Sequence, residues 1–137
     1  MEIVSFENDI RGMCVTAEFF PEGALAAHQR LHAAVPFSSE RGYYGISWPD
    51  GKGGITYKAA AQELEVGEAE NLGFEIFVVK KGTYLSEQLP DFQKDIPAIG
   101  KTFAKLLADP RIDPQGYCLE TYSKDAKDMQ CLVKLKD

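Results

Sequence analysis

The chain has too few basic residues to hold a polyanion. It sets 15 Lys and Arg against 21 Asp and Glu, for a formal net charge of −6, and its bases gather into no run. Nucleic-acid binding draws affinity from counterion release at a basic footprint, so direct contact with nucleic acid is not expected. Long apolar runs are missing too, and the N-terminal stretch MEIVSFENDIRGM lacks the basic and apolar regions of a signal peptide. No membrane partner is expected, and the expected location is the cytoplasm. Cysteine is scarce: Cys14, Cys118 and Cys131 are odd in number and show no C-x-x-C spacing, which speaks against a disulfide framework or a zinc knuckle and predicts reduced thiols. The only two histidines, His28 and His32, stand four apart with no acidic or cysteine ligand beside them, so they are read as packing or surface residues and no metal is assigned. No Ser/His/Asp constellation is present, and the glycines of PDGKGG lack the strand-to-helix context and the Lys-Ser/Thr ending of a phosphate loop. No cofactor is called for.

What is present is ordinary globular material, 45% hydrophobic over 137 residues, enough for one domain spanning 1–137. Gly12 to Phe20 (GMCVTAEFF) reads as a strand closed by Pro21 and Gly23. Ala24, Ala27, Leu31, Ala34 and Val35 then recur at helical steps, with Pro36 closing the segment. GYYGISW and ITYKAAAQEL follow as two antiparallel strands joined at PDGKGG. The later chain repeats the order. GFEIFVVKK reads as a strand, Asp95 to Ala108 as a helix with an apolar stripe of Ile96, Ile99, Phe103, Leu106 and Leu107, and GYCLETY and MQCLVKLK as two further strands. ELEVGEAENLG, carrying Glu63, Glu65, Glu68 and Glu70, reads as a solvated connection. The predicted fold is therefore α+β, a duplicated βαββ unit with half-repeats of about 1–65 and 72–137, pseudo-twofold symmetry and a ligand cleft between the halves.

Aligning the third elements pairs Gly42 with Gly116, Tyr43 with Tyr117 and Ile46 with Glu120. Side chains alternate along a strand, so Tyr117, Leu119 and Thr121 point one way and Cys118, Glu120 and Tyr122 the other. With Leu119 expected to face its helix, Glu120 is expected on the opposite side together with Tyr122 and Cys118, meeting Tyr44, Ile46 and Trp48 of the first half. Tyr57 and Tyr84 are expected as further walls, and Tyr43 and Tyr117 as core. A carboxylate framed by rings is a receptor for an organic cation, because ring faces and negative charge both attract positive charge once water is partly excluded. The plain alternative is a solvent-washed sheet face on which Glu120 only keeps the strand soluble.

YYGISWPDGKGGITYKAAAQEL, KKGTYLSEQLPDF and FAKLLADPRIDPQGYCLETY resemble the GyrI-like, or bacterial effector-binding, family, found alone and fused to the DNA-binding parts of AraC- and MerR-type regulators. The most specific piece is the Glu-x-Tyr strand, Glu120 and Tyr122, preceded by Gly116. The resemblance implies paired βαββ units with Glu120 as counter-ion in a central cavity that takes hydrophobic, often cationic, small molecules. Because the two units consume all 137 residues, the chain resembles the standalone members, which implies ligand binding without promoter contact. Two other activities accompany the resemblance. One is hydrolysis of reactive hydrophobic compounds, with Glu120 as general base and Tyr122 or Tyr44 donating to the leaving group. The other is inhibition of a protein partner such as gyrase.

Overall fold

Pro49 and Asp50 end one β-branched and aromatic run and Ile55 begins the next. In a computed structural model describing all 137 residues, Met1–Asp137, the two runs form a hairpin. The Asp50 carboxylate accepts the backbone N–H groups of Lys52 (2.7 Å) and Gly54 (3.0 Å), and Gly51 and Gly53 take positive φ of 79° and 86°, so the turn is one that glycine alone forms without strain. In chain order the elements are β1 (Glu2–Phe6), β2 (Ile10–Thr16), α1 (Ala24–Ala34), β3 (Tyr43–Pro49), β4 (Ile55–Gln62), α2 (Glu68–Leu72), β5 (Glu75–Val79), β6 (Gly82–Leu89), α3 (Pro97–Leu107), β7 (Cys118–Tyr122) and β8 (Met129–Lys134), with a 3-10 turn at Phe92–Lys94 before α3. The fold is α+β, and no helix is long and apolar enough to cross a membrane.

Packing divides the chain into two compact units. The internal unit is Asp9–Val79; the terminal unit is Met1–Asn8 with Lys80–Asp137. Each contains four antiparallel strands and one 11-residue helix. In the internal unit the strand order is β3-β4-β2-β5, and α1 lies over β4 and β2. Ala27, Leu31 and Val35 of the α1 segment meet Met13, Val15, Ala59 and Ala61, all at most 8% exposed. Three alanines at this contact let the helix backbone approach the sheet closely, with Leu31 filling the remaining volume.

In the terminal unit the order is β1-β6-β8-β7, and α3 lies over β8 and β6. Pro97 opens α3, where its missing N–H is harmless, and Leu106 with the partly buried Ile99 and Phe103 packs on Leu85, Met129, Cys131 and Val133. Ile96 and Leu107 are 54% and 46% exposed, so the expected stripe is narrower than the sequence indicated.

Three other expectations change. The strand expected at Gly12–Phe20 runs Ile10–Thr16, because residues 17–23 turn into α1. β1 and β6 are strands that the reading left unassigned, and β5, read as the opening strand of the second half, pairs with β2 in the internal unit, while β1 pairs with β6 in the terminal one. The acidic connection is not merely solvated: it holds α2, where Glu68 forms a bidentate pair with the buried Arg41 (2.9 and 3.0 Å) and Glu63 accepts the Ala69 N–H while pairing with Arg11. Arg41 holds the Glu68 carboxyl down to about 2.

Candidate functional site

The register of the last hairpin decides which way Glu120 points. Cys118, Glu120 and Tyr122 lie opposite Val133, Cys131 and Met129, and those three residues belong to the core beneath α3. Glu120 is therefore on the α3 side of the sheet. Leu119, opposite Leu132, is on the other side. This corrects the expectation that Leu119 faces the helix. Both faces are covered at this strand, with Leu119 0% exposed and Glu120 8%, so an apolar neighbour does not mark the helix side here.

Since α3 sits over β8 and β6, β7 forms a ledge beside the helix, and its α3-side residues are Cys118, Glu120 and Tyr122. The Tyr122 hydroxyl donates to Glu120 Oε1 at 2.6 Å, and the Tyr122 ring lies 5.8 Å from that of Phe92 in the turn before α3. Continuing across the sheet on the same face, Cys131 stands next to Glu120 and Glu87 next to Cys131, with Lys105 of α3 paired to Glu87 at 2.9 Å. Burial above all, then the Glu120 charge, pushes the Cys131 thiol up to about 12. It is an inert core thiol. Cys118 is on this same face as Cys131, and Cys14, Cys118 and Cys131 are thiols outside any disulfide.

Tyr84 does not join this group. Its position on β6 alternates with Leu85, which faces α3, and the Tyr84 ring is 0% exposed beside Phe6 at 4.9 Å. Its hydroxyl donates to the Lys80 carbonyl (2.7 Å) and lies 2.7 Å from the Tyr117 hydroxyl, which in turn accepts the Lys80 N–H at 2.9 Å. The closed circuit makes Tyr84 a structural residue. Tyr117, expected in the core, is half-buried in the same circuit.

In the internal unit the expected residues also divide between two faces. Tyr44, Ile46 and Trp48 share the face turned away from α1, since Tyr43 pairs with Ala61 of the α1 core. Ile46 is 0% and Tyr44 8% exposed, and Trp48 stacks on Phe77 at 5.6 Å. The Tyr44 hydroxyl occupies the space over Gly42, where a Cβ would come within 2.2 Å of it; burial raises this phenol's pKa. Tyr57 is on the α1 side: its hydroxyl is 2.8 Å from His28 Nε2, and its ring stacks on Phe20 at 5.1 Å. Burial, with the charge of His32 second, pulls the His28 imidazole down to about 4. His28 and Phe20 were not among the expected site residues; the four-residue spacing of His28 and His32 was the available signal. A shallow groove of about 240 Å³ lies at the start of α1, lined by residues including Thr16, Phe19, Ala26 and Arg30. No group of three or more metal-ligating side chains converges.

No protein-family model and no curated protein matches the chain. Among solved structures, an integron cassette protein from the mobile metagenome of Vibrio cholerae superposes with a TM-score of 0.71 at 14% identity, covering 98% of this chain and 95% of that one. The protein SAV2435 bound to tetraphenylphosphonium gives 0.56 at 12% identity over 98% and 93% of the two chains. A Staphylococcus aureus MU50 protein named for bacterial transcription regulation gives 0.56 at 9% identity over 99% and 97%. At these identities the likeness is one of fold.

Proposed function

We propose that this chain is a GyrI-like effector-binding protein that takes hydrophobic organic cations, with Glu120 as the counter-ion. One observation carries the reading: a carboxylate only 8% exposed stands on a ledge beside a helix, anchored by the hydroxyl of a flanking tyrosine. A carboxylate withdrawn from water attracts a cation more strongly than an exposed one, and the Tyr122 and Phe92 rings add apolar and ring-face contact. Cys118 and Tyr122 complete the ligand-contacting set on this face. A structural neighbour solved with tetraphenylphosphonium supports the ligand class. The net charge of −6 raises the local concentration of cations and works against phosphate-bearing partners. Specificity more than raw affinity is expected from the carboxylate, because pairing with the ligand must offset desolvation.

Calorimetric titration with tetraphenylphosphonium and with uncharged triphenylphosphine oxide tests this. Glu120→Gln weakens the cation about tenfold, roughly 1.4 kcal/mol, and leaves the neutral analogue nearly unchanged. Equal losses for both ligands would remove Glu120 from the role of counter-ion.

The Tyr122–Glu120 hydrogen bond favours a second reading, in which Glu120 takes a proton from water while Tyr122 donates to a leaving group of a reactive hydrophobic compound. Turnover of strained electrophiles that disappears in Glu120→Gln supports it. A rate no higher than that in buffer eliminates it.

A further inference from the structure

Three of the four arginines in the chain are paired within it: Arg11 with Glu63, Arg41 with Glu68 and Arg111 with Asp109, each at 2.9 Å. The fourth, Arg30, forms no ion pair or hydrogen bond. It lines the groove beside α1, and on the same groove stands Glu18, an acid that is equally unpaired. The Thr16 hydroxyl at this groove is already held by Lys58 and Glu75, so the open charges here are Glu18 and Arg30.

The local sequence explains the groove. Gly23, Ala26, Ala27 and Arg30 recur at steps of three and four and share one stripe of the α1 segment, facing the Thr16–Phe19 run that leaves β2. Three of those four positions carry a methyl group or less, so the helix does not fill the space against the run. The turn that closes one end is tight: the Gly23 N–H donates to the Phe19 carbonyl at 2.9 Å, and a Cβ on Gly23 would come within 2.4 Å of that oxygen. Phe19 is thereby fixed at this end, its ring 70% exposed, and Arg30 stands about 10 Å further along the helix.

We propose that this groove binds a zwitterionic α-amino acid with an apolar side chain, its carboxylate on Arg30, its ammonium on Glu18 and its side chain against Phe19 and the alanines. Size and charge both lead there. The volume of about 240 Å³ is below the roughly 300–1,000 Å³ of drug-sized pockets, which suits a molecule as small as one amino acid. A simple cation meets a like charge at Arg30 and a simple anion meets one at Glu18, whereas a zwitterion presents opposite charge to both. The planar fork of Arg30 takes a carboxylate through two parallel hydrogen bonds. Because Glu18 and Arg30 lie at the surface, each charge contributes modestly and binding is weak. The groove shares no residue with the Glu120 ledge and stands or falls independently of the cation reading.

Amide NMR reads the groove directly. In ¹⁵N-labelled protein, titration with L-phenylalanine is expected to move the Ala26 and Ala27 amide signals along one saturable curve. N-acetyl-L-phenylalanine lacks the ammonium and 2-phenylethylamine lacks the carboxylate, and each is expected to bind about fivefold more weakly at those signals. Arg30→Gln, at an exposed position, is expected to weaken L-phenylalanine by a similar factor. Ala26→Leu, also at an exposed helix position, fills the groove and is expected to abolish the shift at Ala27. Signals unmoved by L-phenylalanine, equal affinity for the three compounds, or a curve at Ala27 that survives Ala26→Leu would overturn the proposal.

Discussion

β7 and β3 hold the same place in their units. Each follows an 11-residue helix, pairs antiparallel with the next strand, and runs beside a helix that covers other strands of the sheet. A shared Gly-Tyr lead-in suggests aligning Ile46 with Glu120, yet the two residues differ in face relative to their unit's helix: Ile46 points away from α1, Glu120 toward α3. By face, the counterparts of Glu120 are Gly45 and Ser47. A slip of one residue exchanges every side chain between faces, so two strands with similar spelling present different chemistry beside their helices. The terminal unit offers a carboxylate there, and the internal unit offers a glycine and a serine.

The cores under the helices sharpen the comparison. Leu31→Ala and Leu106→Ala each remove a fully buried side chain and should destabilise the protein by roughly 2–5 kcal/mol in denaturant unfolding. Leu31 should be at the upper end, because alanines surround it and cannot collapse into the space, whereas Leu106 sits among larger, more adaptable neighbours including Met129. A smaller loss for Leu31→Ala than for Leu106→Ala would contradict the contrast between the two cores.

Acid should separate the units next. The unfolded chain protonates His28 near pH 6.5, while the folded chain holds it neutral down to about pH 4. Between those values the unfolded state binds more protons, so stability is full above pH 6.5 and falls as the pH drops through the window, by about 3 kcal/mol at most. Urea midpoints measured from pH 7 to pH 4 should show this slope in the wild type and a flatter one in His28→Gln. An unchanged slope in the variant would detach the effect from His28. The smallest expected change is at the Glu87–Lys105 pair, where Lys105 is 54% exposed: Lys105→Ala should alter stability by about 0.5 kcal/mol or less, and a loss above 1 kcal/mol would show that the row from Glu120 to Glu87 depends on it.

Much of the fold was legible because its periodicities are strong. α1 and α3 have apolar steps of three and four between proline stops, and the β3–β4 hairpin announces itself through PDGKGG. β6 was hidden by the polar run Ser86, Glu87 and Gln88, although Ser86 is 0% exposed, and β1 by its shortness and an exposed Ile3. The pairing of β1 and β5, each with a strand distant in sequence, has no local signal. In the site, Glu120 and Tyr122 could be paired by strand alternation, and their hydrogen bond agrees with it. Which face they occupy could not be read, since the usual cue that the apolar neighbour turns toward the helix fails where Leu119 and Glu120 are both covered. Tyr57 and Tyr84 were grouped with the site by composition alone, and the register sends Tyr84 to the other side of the sheet from Glu120.

The most direct measurement moves the carboxylate by one residue without changing net charge or composition. In the double variant Glu120→Thr/Thr121→Glu the acid passes to the face shared with Leu132-adjacent Gln130, away from α3. Tetraphenylphosphonium affinity, measured by calorimetry, is predicted to fall about tenfold, as in Glu120→Gln, although the protein carries the same charge. Wild-type affinity in the double variant would show that any negative charge on β7 suffices, and would contradict the account of a counter-ion placed by the α3-side ledge.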